Sequence, residues 1–366
     1  MRMTRRQFLH TAASAAATAA VSPVLASTVS TFASASSSVN AVSIDHLRRL
    51  VQTRALASAD PWVLMHVVLA LGPETRTSAG PILDAVMAKH LEKVQRGGQT
   101  WVWFPLNVEA HPNHFLEIMD AIGVPPSRKF TTPAGQVGTA ELLAGAKALM
   151  TPTIAGPELS WTLSVLTAAM RPDADRFTNA EGQAFTVAAL VETAALAAEV
   201  GYADTIAAMG GTKAYGRSVL QTYACNGSHV LYGLYDALRH GYEGKDLRTR
   251  VRKLTAASYF RLGVEVALID QALAAPEQQL NADAAKLQFL GHSIENLRYA
   301  ERHHIYVPST TERQQLATAE AQLARVVHRI ATIHNLDVLA NDVPRAYRII
   351  LGDACHALHG LTGEGS

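Results

Sequence analysis

The helical spacing of apolar residues from Ile44 to about Gly360 is the feature that most constrains this chain. Apolar side chains recur three and four positions apart with few interruptions, as they do on the buried face of a helix. Since 48% of the residues are hydrophobic and 17% are charged, the chain can bury a large core. It is therefore predicted to be all-α. The predicted helices cover residues 44–56, 61–71, 81–95, 113–122, 139–149, 158–170, 186–199, 211–222, 228–240, 247–274, 282–304, 311–334 and 343–359.

Local signals support this reading at several helix starts. Asp60, which precedes a proline, is typical of an N-cap, and Ser309 before a long alanine- and leucine-bearing run is another. Strand signals are few. A short strand is predicted within residues 97–105, and a hairpin is predicted from Lys129 to Val137.

The number and length of the helices favour one domain of paired antiparallel helices. About a dozen helices, each with its loop taking ~25 residues, match a ring of six helical hairpins, an α/α toroid. An elongated helical solenoid is the alternative, but no sequence repeat at a fixed period indicates one. The predicted single domain spans residues 44–360.

The first 26 residues have the layout of an export signal. Arg5 and Arg6 precede Phe8, an alanine-rich apolar stretch and a small-residue cleavage site. Paired arginines at this position are typical of the twin-arginine pathway, so a periplasmic or secreted protein is predicted. A transmembrane anchor is the alternative, but the apolar run is shorter than the ~20 residues that span a bilayer. Residues 27–43 are predicted to be a low-complexity linker.

Charge and cysteine content limit the classes of partner. The formal net charge is +1, and removal of the signal with its three arginines makes it about −2. Since no basic patch stands out, nucleic acid is not an expected partner, and contact with a membrane is expected only through the signal before cleavage. The two cysteines, Cys225 and Cys355, are predicted to be separate buried thiols, although an oxidising compartment would also permit a disulfide.

Histidines in local patterns with acidic residues or cysteine are the main candidates for chemistry. Histidine exchanges protons near neutral pH and is a common metal ligand. His66 lies on an apolar helix face, where it is either a core residue or part of a cavity wall. His111 and His114 follow Glu109 at a helix start, so they are candidates for a metal or acid/base group.

Two further patterns lie in the second half of the chain. Cys225 and His229 are four residues apart around Gly227, which permits a tight turn before a helix. They would serve as a nucleophile and its base, as two metal ligands, or only as a loop-to-helix junction. His292 and Glu295 are three apart on one helix, so the carboxylate is expected to orient the imidazole.

The remaining candidates have a stronger structural interpretation. His356 and His359, which follow Cys355 near the C-terminus, are expected to be mainly structural. Trp101 and Trp161 are either core residues or flat surfaces on which a sugar ring stacks. Glu158 belongs to the same segment as Trp161 and is a candidate for binding substrate beside it.

The order of these motifs resembles a group of exported bacterial proteins, common in planctomycetes, that lack an assigned activity. The motifs are residues 60–66, 109–116, 158–162, 178–182, 225–229 and 291–295. The resemblance implies a helical fold. The segment 291–295 is also similar to a Gly-His-x-x-Glu segment of N-acylglucosamine 2-epimerase-like toroids, with Asn296 where that family has tryptophan. This second resemblance implies that His292 and Glu295 face a central cavity.

Three functions are therefore predicted, and the first is an enzyme that acts on a glycan or related polyol. In this enzyme His229 or His292 would exchange protons, Glu295 would orient a histidine, and Trp101 or Trp161 would stack on substrate. His66, His111, His114 and Glu158 complete the expected substrate site.

The other two predicted functions involve no glycan chemistry. One is a metalloprotein in which zinc or a similar ion is bound by a His/Cys cluster. The candidate ligands are His111, His114, Cys225 and His229. The other is a non-catalytic helical protein that binds a partner or a cell-wall component.

Overall fold

The computed structural model describes residues 43–154, 156–216 and 218–363. The predicted signal, residues 1–26, and all of the predicted linker except Ser43 lie outside the described residues. Ser43 already belongs to the first helix and is buried. No described helix combines the length and apolarity needed to cross a membrane.

The described chain is mainly helical, as the sequence predicts, with 68% of it in helix. The first helix, α1, covers residues 43–50 and continues as a π-helical segment at Val51–Ala55. The others are α2 (Pro61–Leu71), α3 (Ile82–His90), α4 (Leu106–Glu109), α5 (His114–Ala121), α6 (Thr139–Ala148), α7 (Leu159–Ala169), α8 (Val187–Met209), α9 (Ser228–Arg239), α10 (Leu247–Ala272), α11 (Gln279–Arg302), α12 (Thr310–Thr332), α13 (Leu336–Asp342) and α14 (Pro344–Thr362).

Short antiparallel hairpins decorate the helices. They pair β1 (Arg76–Thr77) with β2 (Gly80–Pro81), β3 (Glu92–Arg96) with β4 (Gln99–Trp103), β5 (Phe130–Thr132) with β6 (Gly135–Val137), and β7 (Arg176–Thr178) with β8 (Ala184–Thr186). The predicted hairpin near residues 129–137 is confirmed as β5 and β6. The predicted short strand within 97–105 is confirmed as β4.

Two predicted helices are wrong in part or in full. The helix predicted over 81–95 ends at His90, because Gly97 and Gly98 adopt positive φ and turn β3 back on β4. The helix predicted over 211–222 is absent from the described residues there, and only a 3₁₀ turn at Val219–Thr222 is present. A third predicted helix, over 186–199, is longer than expected and continues to Met209, with Gly210 as its C-cap.

Both predicted N-caps are confirmed. Asp60 accepts hydrogen bonds from the main-chain N–H groups of Trp62, at 2.9 Å, and Val63, at 3.3 Å. Ser309 and Glu312 form a reciprocal capping box at the start of α12. At α9, Gly227 is the N-cap and Ser228 is already helical.

Six helices, which we call the central helices, make successive contacts with one another. They are α2, α5, α7, α9, α11 and α14. Helix α2 packs on α5 and α14, α7 packs on α5 and α9, and α11 packs on α9 and α14. Other helices come between them in sequence and pack on them, including α3 on α2, α8 on α7 and α9, α10 on α9 and α11, and α12 on α11. Every polar residue of the central cluster described below belongs to, or adjoins, one of the central helices.

Glycines allow two of the central helices to approach closely. A Cβ atom at Gly360 of α14 would lie 2.7 Å from Cα of Glu295 on α11. A Cβ atom at Gly291 would lie 3.2 Å from Cβ of Ala357. Because neither glycine has a Cβ, the backbones of α11 and α14 pack directly against each other. This contact fixes the positions of the side chains that α11 and α14 share.

Candidate functional site

Three histidines from separate central helices meet in the interior of the fold. His66 on α2, His114 on α5 and His356 on α14 are all at least 96% buried. The ring centroid of His66 lies 5.0 Å from that of His114 and 4.8 Å from that of His356. One nitrogen of each ring lies within 4.8 Å of one nitrogen of each of the other two. We call these residues the three-histidine centre.

Main-chain carbonyls fix the orientation of two of the three rings. Nδ1 of His66 donates to the carbonyl oxygen of Trp62 at 2.6 Å, and Nδ1 of His114 donates to that of Glu109 at 3.2 Å. A carbonyl oxygen only accepts, so the proton of each neutral ring lies on Nδ1 and the lone pair lies on Nε2. Nε2 of His114 is buried without a hydrogen-bond partner among the described residues.

The carboxylate of Glu295 fixes the third ring. Its Oε2 accepts from Nδ1 of His356 at 2.7 Å, and its Oε1 accepts from Nδ1 of His359 at 2.6 Å. Burial alone would raise the pKa of Glu295, but His356 and His359 hold this pKa well below its usual range. Glu295 is therefore an ionised acceptor, and Nε2 of His356 carries the lone pair.

The interior keeps most of these imidazoles neutral. Burial lowers the pKa of His66, His114 and His229 well below the ordinary value, and neighbouring histidines lower each of them further. Burial also lowers the pKa of His356, although Glu295 opposes this effect. A neutral imidazole has a free lone pair, which is the form of histidine that binds a metal ion.

A second group of side chains adjoins the three-histidine centre. His292 on α11 lies next to His356, with ring centroids 4.0 Å apart, and His229 at the start of α9 lies 4.8 Å from His292. Sγ of Cys225 and one nitrogen each of His229 and His292 lie within 4.8 Å of one another. Nε2 of His292 is hydrogen-bonded to Oδ1 of Asp353 at 3.1 Å. We call Cys225, His229 and His292 the cysteine–histidine group.

His292 and Glu295 share a face of α11, as their spacing predicts, and Nδ1 of His292 lies 3.9 Å from Oε2 of Glu295. The stronger partner of His292 is Asp353, which was not predicted from the sequence. Burial would lower the pKa of His292, but the neighbouring Cys225 and Asp353 raise this pKa well above its ordinary value. His292 therefore favours the protonated, charged form, whereas His66, His114 and His229 favour the neutral form.

His111, Glu158 and Trp161 form a layer outside the centre. Nδ1 of His111 contacts Oε2 of Glu158 at 2.9 Å, and its ring stacks on Trp161 with the centroids 3.9 Å apart. Trp161 is 98% buried and also contacts His114 and His229. His111 also lies beside His114, with ring centroids 5.9 Å apart, so this layer adjoins the three-histidine centre.

The four metal ligands predicted from the sequence do not form one group. His114 joins the three-histidine centre, Cys225 and His229 join the cysteine–histidine group, and His111 pairs with Glu158 instead. The physical reason is the chain path at the start of α5. Asn113 adopts a left-handed conformation, with φ of 63°, so His111 leaves the helix axis on a different course from His114.

Glu109 positions His114 rather than lining the centre. Its Oε1 accepts from the N–H of Asn113 at 2.9 Å, and its Oε2 accepts from the N–H of Phe115 at 3.2 Å. Burial raises the pKa of Glu109 to about 8, although these N–H groups oppose the shift. The side chain therefore satisfies the first turn of α5 while its carbonyl oxygen orients His114.

Trp101 lies apart from the centre. It belongs to β4, where its Nε1 donates to the carbonyl oxygen of Arg96 at 3.1 Å. It lines a surface cavity of about 410 Å³ together with Gly97, Thr178 and Asn179, and no histidine lines that cavity. The predicted sugar-stacking indoles, Trp101 and Trp161, are thus in different environments.

A cavity of about 530 Å³ opens beside the centre. Its lining includes Glu117, Tyr232, Asp236, Arg239 and His359. Nε2 of the buried His359 has no hydrogen-bond partner among the described residues. Nδ1 of His359 is hydrogen-bonded to the carboxylate of Glu295, which also orients His356. The cavity is therefore linked to the three-histidine centre through His359 and Glu295.

The contact of Asp353 with His292 was not predicted from the sequence, and His356 and His359 were expected to be mainly structural. One signal was available, because Asp353, His356 and His359 recur every three residues and therefore share one side of α14. Nothing local shows that this side faces Glu295 and His292, which are more than 55 positions earlier in the chain.

The chain was compared with known protein families, with curated proteins and with solved structures, and no match was found in any of the three.

Proposed function

We propose that the protein binds a transition-metal ion, such as zinc, at the three-histidine centre. The observation that carries this proposal is the orientation of His66, His114 and His356. Each ring is fixed through Nδ1, and one nitrogen of each lies near one nitrogen of the other two. With Nδ1 engaged, the lone pair of each neutral ring lies on Nε2, which is the atom left for an ion.

The hydrogen bonds of the three rings match those of metal-binding histidines. Metal-ligating histidines nearly always donate their other ring N–H to a backbone carbonyl or a carboxylate, which sets the tautomer and the ring plane. Trp62 and Glu109 supply carbonyl oxygens to His66 and His114, and Glu295 supplies a carboxylate to His356. A divalent ion held by three imidazoles retains a position for water and lowers the pKa of that water.

Packing alone explains the arrangement less well. A buried histidine of an ordinary core satisfies both ring nitrogens, and a buried polar atom left without a partner costs about 1–3 kcal/mol. His114 Nε2 lacks a partner within the described part of the chain. A bound ion would satisfy this nitrogen together with those of His66 and His356.

A glycan or polyol ligand is the second candidate, and the cavity beside His359 favours it. This cavity has the size of a small-molecule site, and Glu117, Asp236 and Arg239 provide hydrogen-bonding groups. The predicted indole platforms give it less support, because Trp161 is buried under His111 and Trp101 lies in another cavity. Proton exchange by His229 or His292 belongs to this second proposal.

Three wider predictions accompany the proposed function. We propose that the central helices form the inner ring of an α/α toroid, because α2 and α14 contact each other and each central helix supplies a residue to the cluster. Export by the twin-arginine pathway and a periplasmic or secreted location stay predictions from the sequence. In that setting, a folded protein would carry its ion across the membrane.

Metal analysis of the purified full chain tests the proposal. The protein should be prepared without chelators or immobilised-metal columns, and then titrated with Zn²⁺ against a chromogenic chelator. Replacing His66 or His114 by alanine should remove at least one equivalent of bound zinc. The matched control is His328→Ala, which removes an exposed imidazole from α12. Equal zinc binding by His66→Ala, His114→Ala and the wild type would refute the proposal.

A further inference from the structure

The turn that carries Cys225 has an unusual backbone. Cys225 (φ 48°, ψ 42°), Asn226 (φ 55°, ψ 31°) and Gly227 (φ 76°, ψ 6°) adopt left-handed conformations in succession. For a residue with a side chain this conformation costs about 1–2 kcal/mol, and only glycine and asparagine adopt it readily. Cysteine is therefore energetically unfavourable at this position. Because strained residues cluster at functional sites, the side chain of Cys225 is a candidate for a function.

Buried polar contacts hold this turn in place. Nη1 of Arg261 donates to the carbonyl oxygen of Asn226 at 3.0 Å, and Nδ2 of Asn296 donates to that of Ser228 at 2.5 Å. Arg261 is 98% buried and its guanidinium is neutralised by Glu265 at 3.0 Å. The surrounding helices α10 and α11 thus impose the conformation that places Cys225 beside the histidines.

Three donor atoms of different types approach one another at the end of this turn. Sγ of Cys225 and one nitrogen of each of His229 and His292 lie within 4.8 Å of one another. Nε2 of His292 is hydrogen-bonded to Asp353, and no hydrogen bond of ordinary geometry satisfies its buried Nδ1 in the described chain. Since Cys225 and Asp353 raise the pKa of His292, an ion bound at this ring would displace a proton. Asp353 therefore has the position of a carboxylate that orients a metal-binding imidazole.

We infer that Cys225, His229 and His292 form a second metal-binding site, which takes an ion that prefers thiolate and imidazole ligands, such as Zn²⁺. Thiolate and imidazole together suit zinc and its substitute Co²⁺ better than calcium or magnesium, which prefer oxygen ligands. The second site shares no ligand with the three-histidine centre. The two sites are neighbours, since His292 also has a donor atom within 4.8 Å of donor atoms of Glu295 and His356, but replacing His66 leaves all three ligands of the second site in place.

The arrangement also resembles that of a cysteine nucleophile, and His229 distinguishes nucleophilic catalysis from metal binding. Cys225, His292 and Asp353 have the order of a nucleophile, its base and the group that orients the base. A triad of this kind uses only one of the two imidazoles near the sulfur atom. His229 supplies one at metal-ligand spacing, so binding of an ion is the function that accounts for all three donors.

Titration of the full chain with Co²⁺ tests the second site. Bound thiolate gives an intense near-ultraviolet charge-transfer band, which imidazole ligands do not give. The wild type should show this band, and Cys225→Ser should lose it together with one equivalent of cobalt. Cys355→Ser is the matched control, because Cys225 and Cys355 are the only cysteines in the sequence. His66→Ala should keep the band, which separates this result from failure of the three-histidine centre.

A second variant guards against a folding defect. Cys225→Gly removes the sulfur atom and suits the left-handed backbone, so it should fold at least as well as the wild type and still lose the band. Absence of the band in the wild type, or its persistence in Cys225→Gly, would overturn the inference. Iodoacetamide offers a further test. If it alkylates Cys225 rapidly and Zn²⁺ does not change the rate, the inference of a metal site is overturned and Cys225 is a nucleophile.

Discussion

Gly360 lies directly against the main chain of Glu295, so closely that a methyl group at Gly360 would come within 2.7 Å of Cα and 2.9 Å of the main-chain nitrogen of Glu295. This contact joins α11, which carries Glu295, to α14, which carries the ring that Glu295 orients, His356. The geometry of the three-histidine centre therefore depends on a residue that has no side chain.

Gly360→Ala should separate α11 from α14 and destabilise the protein. Inserting a methyl group into a packed interface costs about 1–3 kcal/mol, and we expect a loss of this size in the free energy of unfolding. Zinc affinity should fall as well, because Glu295 moves relative to His356. Urea unfolding measures the first effect. Gly263→Ala, a helical glycine with open space around its Cβ position, is the control and should be neutral or stabilising.

Glu295→Gln should weaken zinc binding more than it weakens folding. Glutamine has one oxygen acceptor, so one of the two Nδ1–H groups, of His356 or His359, would face an amide donor. Loss of such an orienting carboxylate typically lowers metal affinity by about 10–100-fold. Chelator competition measures the change. Glu301→Gln, on the same helix, should leave zinc affinity unaltered, and an equal loss in both variants would contradict the prediction.

Asp283 should contribute stability that disappears in acid. Its carboxylate is fully buried, contacts Nη2 of Arg329 at 2.5 Å and contacts Nε2 of His334 at 2.9 Å. Burial would raise its pKa, but Arg329 and His334 hold the pKa below its ordinary value. Because the folded pKa is lower than the unfolded one, the contribution is complete above about pH 4 and is lost as the pH falls through the folded pKa.

Asp283→Asn tests this linkage. At neutral pH the variant should lose about 1–3 kcal/mol of unfolding free energy, since Arg329 loses its charged hydrogen-bond partner. Towards pH 2 the stabilities of the variant and the wild type should converge. Asp337→Asn, which removes an exposed carboxylate paired with Arg54, should change little at any pH. If the difference in unfolding free energy between Asp283→Asn and the wild type were the same at every pH, the contribution of Asp283 would not be ionic.

Arg261→Lys should disturb the turn that carries Cys225. Arginine reaches Asn226 and Glu265 at once through its planar guanidinium, and lysine cannot reproduce both contacts. We expect the affinity of the cysteine–histidine group for Co²⁺ to fall by about tenfold or more, as for loss of other supporting residues. Arg250→Lys, at a surface pair with Glu199, is the matched control. Equal cobalt affinity in both variants would show that the turn does not need Arg261.

Helix content was accessible from the sequence because apolar periodicity and capping are local. Asp60 and Ser309 mark helix starts that the structure confirms. The error at β3 has a physical cause, since residues 92–96 fit a helical pattern until the turn at Gly97 and Gly98 pairs them with β4. The helical spacing of these residues was therefore misleading, because the turn geometry determines their conformation.

The candidate site was accessible only in part. His66, His114, His229 and His292 were each singled out by local patterns, and the structure brings them into one interior. Which of them would share an ion depends on contacts among helices distant in sequence. His356 shows this limit, because its neighbours Cys355 and His359 look structural until α14 is placed beside α2 and α11.

The contact between α2 and α14 also sets an order of events during synthesis. His66 leaves the ribosome some 290 residues before His356, so the three-histidine centre is incomplete until α14 has been made. A chain that stops before α14 lacks His356, which is an imidazole partner of Glu295, and the helix that contacts α2. Ion binding at this centre would thus distinguish finished molecules from unfinished ones.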